Sequence, residues 1–354
     1  MKGRDMASQL EIAAMRRALE LAASPDAPLG PNPRVGCVLV DQAGNTVAEG
    51  YHRGAGRAHA EIEALQRAGA AAAGATAVVT LEPCDHTGRT GPCSLALIAA
   101  GVRRVVYAQS DDSPAAHGGA ERLRSAAIDV ESGVLEKQAR ELNHVWTFAT
   151  EHRRPFVTWK FGASLDGRSS AADGSSRWIT SEQARADVHR LRAEADAILV
   201  GTGTALADDP RLTVHHDSHR PHEEQPLRVV MGMRDLPSKS RVLDAAAETL
   251  HLRSRDVTKA LAELFQRGRQ HVWLEGGPTV AGAFWRAGRV DRVVAYLAPS
   301  LLGNGAAALM DAGVGTVSGA IRLDIDDVSR VGPDLRIVAH PLSRPQVQRS
   351  LGKD

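Results

Sequence analysis

His59-Ala60-Glu61, followed after 21 residues by Pro83-Cys84 and after eight more (residues 85–92) by Cys93, is the stretch on which the reading of this chain turns. One imidazole and two thiolates are three good zinc ligands, and they leave a fourth coordination position open for water. A carboxylate two residues past the histidine can move protons on and off that water, and a metal site with an open position and its own acid/base does chemistry. The sequence predicts helices over residues 59–73 and 94–100, so His59 and Glu61 fall at the start of one and Cys93 at the start of the other. Helix N-termini carry partial positive charge and free N–H groups, which favour thiolate over thiol. Within a helix, residues two apart point in different directions, so His59 and Glu61 converge on one ion only if it lies over the helix end. Taken singly, His59 reads as a surface histidine, Glu61 as a solvated helix residue and Cys84 as a small buried hydrophobe. The spacing makes them a set. Cys37 has no such spacing and, inside an apolar run, is expected in the core.

Residues 10–23 upstream have helical periodicity, stopped by Ser24-Pro25. Residues 35–40 form an apolar run rich in β-branched side chains, ended by a turn at 41–45, and 47–50 form the returning strand of a hairpin. Residues 77–81 and 102–108 are further strands, and the alternation with helices indicates a layered α/β domain with a largely parallel sheet. At 354 residues the chain exceeds a typical single core. The charged, Pro-ended segment Glu151-His152-Arg153-Arg154-Pro155 reads as a linker, placing one domain in residues 1–150 and a second in 151–354. The second is also α/β, with strands expected over 156–161, 197–200, 227–231, 271–274 and 292–297 and helices over 181–193 and 279–287. Residues 214–226, polar and His-rich, read as a surface loop, and 343–354 as a frayed polar tail.

Residues 1–150 hold 15 basic and 17 acidic side chains and the remainder 28 and 25, so neither half has the basic excess of a nucleic-acid binder. Aromatic residues, at 4%, leave few platforms for stacking exposed bases. Three cysteines, two of them spaced like ligands, argue against a secreted disulfide scaffold. Glu11, Arg16, Arg17 and Glu20 interrupt any signal-peptide core. No stretch approaches the roughly 20 apolar residues that span a bilayer. The expectation is a cytoplasmic enzyme acting on a small molecule, with no nucleic-acid or membrane partner.

The His-x-Glu and Pro-Cys pattern resembles the signature of the zinc deaminases that act on nucleobase-like rings, which places two residues between the cysteines where this chain has eight. Together with Pro31-Asn32-Pro33-Arg34-Val35-Gly36, Thr80-Leu81-Glu82-Pro83-Cys84, His86, Gly88-Arg89-Thr90 and Pro92-Cys93, residues 10–145 resemble the deaminase domain of the bifunctional riboflavin-biosynthesis deaminase/reductases, a family that uses the longer spacing. The resemblance implies a cytidine-deaminase-like three-layer domain and a diaminopyrimidinone substrate bearing a ribosylamino 5-phosphate, whose C2 amino group leaves as ammonia. It implies zinc on His59, Cys84 and Cys93, with Glu61 as the proton carrier. Asn32 would hold the pyrimidine, and Arg89 with His86 would meet the phosphate. Asp85, Thr87 and Gly91 depart from the family pattern, which favours Ser or Asn, an aromatic or His, and Pro.

Glu275-Gly276-Gly277-Pro278-Thr279 reads as a strand end, a Gly-rich turn and a helix start, a shape that suits a phosphate. It is not a G-x-G-x-x-G fingerprint, and no Rossmann fold follows from it. With residues 159–168, 176–180, 199–204 and 206–210 it resembles the reductase domain of the same family over about residues 154–340. That resemblance implies a dihydrofolate-reductase-like fold, NADPH, and hydride transfer to the ribosyl C1 to give a ribityl chain. Ala163, Trp178, Thr204, Asp208 and the turn Gly277-Pro278-Thr279-Val280-Ala281-Gly282-Ala283 would contact NADPH. Ser176, Arg192, Leu212 and Glu275 would contact substrate, with Lys160 and Asp166 as pocket residues of no assigned role. His215 stands where the family has a substrate-contacting Arg, with Arg211 nearby, and Met231-Gly232-Met233 where Asp-Ser is expected. The family also implies a homodimer or homotetramer. Two rival readings are a nucleic-acid-editing zinc deaminase with an accessory domain and a deaminase with an inactive reductase domain. A third is a structural zinc module joined to a nucleotide-binding regulator, and it lacks a fourth Cys or His at matching spacing.

Overall fold

A capping box opens the first helix: the Ser8 hydroxyl accepts from the Glu11 N–H, and the Glu11 carboxylate accepts from the Ser8 N–H. In the computed structural model of this chain, residues 7–25, 27, 30–86, 91–111, 118–214 and 225–342 are described. They form two compact units, Met1–Arg154 and Pro155–Asp354.

The first unit runs α1 (Gln9–Ala22), β1 (Gly36–Val40), β2 (Thr46–Tyr51), α2 (Ala60–Ala68), β3 (Thr76–Leu81), α3 (Cys93–Ala99), β4 (Arg104–Gln109), α4 (Gly119–Ser125), β5 (Asp129–Ser132), α5 (Glu136–Leu142) and α6 (His144–His152). Its sheet has the order β2-β1-β3-β4-β5. The sheet is mixed, where a largely parallel one was expected: β3, β4 and β5 are parallel, but β1 runs antiparallel to both β2 and β3. The cause is local. Asp41 Oδ1 accepts from the N–H groups of Ala43 and Asn45, closing a tight turn that can only reverse the chain.

Strand alternation sends Cys37, Leu39, Ala77 and Val79 to one face, under α2 and α3, and Val38, Val40, Val78 and Val106 to the other, under α1 and α5. Cys37 is fully buried, as its apolar setting implies. The helix expected over 59–73 stops at Ala68, where Gly69 takes φ 53° and a 3-10 turn follows. The expected linker is partly helical, since α6 includes Glu151 and His152.

Arg104, at the start of β4, ties this unit together. Its guanidinium is nearly buried and pairs with Glu11 of α1 at 2.7 Å and with Asp129 and Glu131 of β5. Removing it strands acidic groups in a half-buried site, so Arg104→Ala is expected to cost about 3 kcal/mol. The check is a lower urea midpoint at unchanged slope.

The second unit runs β6 (Phe156–Ser164), α7 (Glu182–Arg192), β7 (Ala197–Gly201), α8 (Thr202–Asp208), β8 (Leu227–Met231), β9 (Thr249–Leu252), α9 (Val257–Gln266), β10 (His271–Leu274), α10 (Pro278–Arg286), β11 (Arg292–Ala298), β12 (Leu323–Val331) and β13 (Asp334–Pro341). Its sheet order is β12-β13-β11-β6-β10-β7-β8-β9, parallel from β11 to β9 with the antiparallel β12–β13 hairpin at one edge. Leu199, Val229 and Val272 pack with α9 and α10 on one face, and Ile198, Val230 and Trp273 with α7 and α8 on the other. The carboxyl ends of β6, β7 and β10 therefore open on one rim, where ligands bind in open α/β sheets. Most of the loop expected at 214–226 and all of the tail expected at 343–354 lie outside the described residues. Among the described residues no helix is long and apolar enough to cross a membrane.

Candidate active sites

Three segments of the first unit converge where β3 ends. His59 is the N-cap residue of α2, Cys84 lies three residues past β3, and Cys93 is the first residue of α3. The ligand atoms of all three lie within 4.8 Å of one another, over the two helix ends. His59 presents Nδ1, 3.5 Å from the Cys84 sulfur and 3.3 Å from the Cys93 sulfur. A hydrogen bond from Cys93 and the His59 ring hold the Cys84 thiol down at about 4, while that same hydrogen bond and burial push Cys93 well up. The pair thus carries one negative charge easily and a second only with a cation. A coordinated divalent metal deprotonates thiols outright, so the donor set fits zinc.

Glu61 sits in the first turn of α2 and is 3% exposed. Burial, and then the Cys84 charge, push its carboxyl up to about 7. Asn32 is held by His52, a residue with no sequence signal, whose ring centroid lies 5.4 Å from that of His59. His52, just past β2 and nearly buried, must donate from Nδ1 to the Ala58 carbonyl at 3.1 Å, which leaves Nε2 to accept from the Asn32 amide at 2.9 Å. Burial lowers the His52 pKa, in keeping with this neutral tautomer. Asn32 therefore turns its NH2 to His52 and keeps its carbonyl oxygen for another partner. Asn143 fixes the same loop, bridging the backbone N–H and carbonyl of Arg34 at 2.8 and 2.9 Å. A lone His and a lone Asn carry no spacing signal, so neither was legible. His86 has a buried Nδ1 with no hydrogen-bond partner among the described residues. Arg89 lies outside them, as does Thr87.

In the second unit a cavity of about 400 Å³ brings together Ser176, Trp178, Arg192, Asp208, Leu212 and Glu275. Arg192 of α7 clamps Glu275, just past β10, through contacts of 3.0, 2.8 and 2.6 Å, and the Trp273 indole donates to the same carboxylate at 2.6 Å. Burial would raise the Glu275 pKa, but Arg192 and Lys160 outweigh it and hold the carboxyl at about 2. Burial draws the Lys160 ammonium down, against the pull of Glu275. Trp178, which could equally have been core, is 72% exposed with the Arg185 guanidinium 4.3 Å above its ring. Arg177, Arg211 and Arg241 add positive charge around the cavity, a setting that suits phosphates.

Thr204 accepts the Gly277 N–H at 3.0 Å and so ties α8 to the turn that starts α10. Within that turn Ala281 is fully buried in the core, and Gly282 lies so close to the Met310 carbonyl that a Cβ would meet it at 1.8 Å. Gly277, Pro278 and Val280 are half-buried, Thr279 is exposed, and Ala283 packs against the core. Ala163 is fully buried in β6. Gly232, an unexpected residue for the family, has φ 142°, and a Cβ there would meet Thr202 Oγ1 at 2.6 Å, so the backbone itself selects glycine. His215 lies outside the described residues.

Residues 8–109 match the cytidine and deoxycytidylate deaminase zinc-binding region, and residues 155–337 match the RibD C-terminal domain. The riboflavin biosynthesis protein RibD of Mycobacterium tuberculosis (strain H37Rv) is 52% identical over 306 residues, covering 86% of this chain and 90% of that protein. This chain belongs to the RibD family. RibD of Escherichia coli K12 is 41% identical over 355 residues, covering 91% and 96%. Solved RibD of Acinetobacter baumannii superposes with a TM-score of 0.87 at 36% identity over 94% of this chain and 99% of that one. A Thermotoga maritima protein, described as a diaminohydroxyphosphoribosylaminopyrimidine deaminase/5-amino-6-(5-phosphoribosylamino)uracil reductase, gives 0.83 at 31% identity over 94% and 99%. As in RibD, a cytidine-deaminase-like zinc domain is joined to a dihydrofolate-reductase-like domain that uses NADPH, and the chain is a bifunctional deaminase/reductase.

Proposed function

We propose that the first unit removes the C2 amino group of 2,5-diamino-6-ribosylamino-pyrimidinone 5-phosphate as ammonia, and that the second reduces the ribosyl chain of the product to ribityl. The convergence of the His59, Cys84 and Cys93 ligand atoms beside the buried Glu61 carboxyl carries this reading. Zinc held by those three residues would supply Lewis acidity and an acidified water. Glu61 carries one proton from the attacking water to the ring nitrogen, then carries the second, from the hydroxyl of the resulting adduct, to the amine, which leaves as ammonia as the carbonyl forms. The free carbonyl oxygen of Asn32 accepts from the pyrimidine and orients it, and His86 with Arg89 meets the phosphate. In the second unit NADPH would supply a hydride to the ribosyl C1. Trp178, Thr204, Asp208 and the accessible part of the Gly277–Ala283 turn would contact it, while Ala163 and Ala281, fully buried, would act only through their backbone. Ser176, Leu212 and the Arg192–Glu275 pair hold the substrate, and Arg211 offers the charge that His215 replaces. The near-neutral halves and scarce aromatics speak against a nucleic-acid substrate. Thiols that must stay free to ligate suit a reducing cytoplasm, and the family resemblance supports a homodimer or homotetramer.

The test supplies the diaminopyrimidinone phosphate with NADPH and follows ammonia and NADPH separately. Both ammonia release and NADPH oxidation are expected, one of each per substrate. Ammonia without NADPH oxidation reduces the activity to a deaminase with a silent second unit. Faster deamination of single-stranded DNA or tRNA than of the nucleotide overturns the reading altogether.

A further inference from the structure

Asp85, one of the departures from the family pattern, joins the two segments that carry the sulfurs. It directly follows Cys84, and its Oδ1 accepts from the hydroxyl of Ser94, which directly follows Cys93, at 2.6 Å. The same oxygen accepts from Arg122 Nε of α4. The Ser94 N–H donates to the Cys84 carbonyl at 3.2 Å, so the two ligand segments are cross-linked twice, each time through the residue after Cys93. Ser94 is fully buried, so no water competes for its hydroxyl.

α4 forms the backing of this arrangement. The Glu82 carboxylate accepts from the N–H groups of Ala120 at 2.9 Å and Asp111 at 3.3 Å. Gly119 packs so tightly on the Pro83 carbonyl that a Cβ would come within 1.7 Å of it. Residues 82–85 are therefore held at successive positions, and Asp85 bridges Arg122 of α4 to Ser94 in the Cys93 segment through one carboxylate oxygen. Two thiolates in one site repel each other, and a ligand set keeps its geometry only if outer contacts oppose that repulsion. A Ser or Asn at this position can meet Ser94 but offers Arg122 no full charge.

We infer that Asp85 is a positioning residue for the metal centre: bound to Ser94 and Arg122, it fixes the spacing of the Cys84 and Cys93 sulfurs and so raises zinc affinity. This rests on zinc occupying the His59–Cys84–Cys93 site. In the full-length protein, zinc affinity is measured by competition with a chromogenic chelator, and site geometry by the thiolate-to-cobalt absorption after Co²⁺ substitution. Asp85→Ala is expected to weaken zinc binding about 10–100-fold and to shift the cobalt spectrum. Asp85→Asn keeps an oxygen for Ser94, and Arg122→Ala keeps the Ser94 bond, so each is expected to lose less than Asp85→Ala. Asp85→Ala with affinity within about twofold of wild type and an unchanged cobalt spectrum overturns the inference. If that variant does not fold, wild-type affinity in both Ser94→Ala and Arg122→Ala, which between them remove the two partners of Asp85, overturns it equally. A wild-type protein that binds neither metal defeats the zinc assignment itself, a separate outcome.

Discussion

Replacing Glu61 with Gln is expected to leave zinc bound and to lower ammonia release about 10²–10⁴-fold, the usual contribution of a positioned acid/base. Gln matches Glu in volume, so the buried first turn of α2 keeps its packing, and His59, Cys84 and Cys93 keep their places. What is lost is a carboxylate that can accept and return a proton. At 3% exposure no bulk water reaches that position to take over the task. NADPH oxidation with the deaminated nucleotide supplied directly should be unchanged, because Glu61 belongs to the first unit and the cavity to the second. The measurement is therefore threefold: zinc content, ammonia, and NADPH. Zinc retained with ammonia release still near wild type would show that Glu61 is not the proton carrier. Zinc lost along with activity would make it a structural support.

Ligand chemistry made this site legible, because few residue types bind zinc and their spacing is read directly. The residues around it were not legible for the opposite reason. Asp85 and Arg122 are 37 positions apart, and α4, which brings them together, is a seven-residue helix whose apolar side chains are just Ala120 and Leu123. The central strands β1, β3, β8 and β10 are buried along their whole length and stood out as apolar runs. The β12 strand did not. Nearly every residue in it is exposed, and Asp324, Asp326 and Asp327 interrupt the pattern that marks a half-buried strand. In the second unit Arg192 and Glu275 were both assigned to substrate, but 83 residues separate them and nothing in the sequence says that they pair.

That pair supports the second large effect. Arg192→Ala is expected to abolish most NADPH oxidation and to destabilise the second unit by about 3–5 kcal/mol, because it leaves the Glu275 carboxylate in a site about one-tenth exposed with Lys160 as its remaining cation. Arg192→Lys restores the charge but not the two-pronged contact, so only partial recovery is expected. The pH dependence gives a second, independent readout. The Glu275 carboxyl is held at about 2 in the folded chain against an ordinary 4.5. A depressed carboxylate pKa contributes stability that is fully present above the unfolded value and is lost as pH falls through the folded one. The window is therefore pH 4.5 down to about 2, and the full difference amounts to roughly 3 kcal/mol. Without Arg192 the folded pKa rises back toward 4.5, so the variant starts less stable but loses less of its stability on acidification. Urea melts of wild type and Arg192→Ala across that range should converge as pH falls. Parallel curves at every pH would mean that Arg192 acts through packing alone and that the ion pair contributes nothing to the stability of the cavity wall.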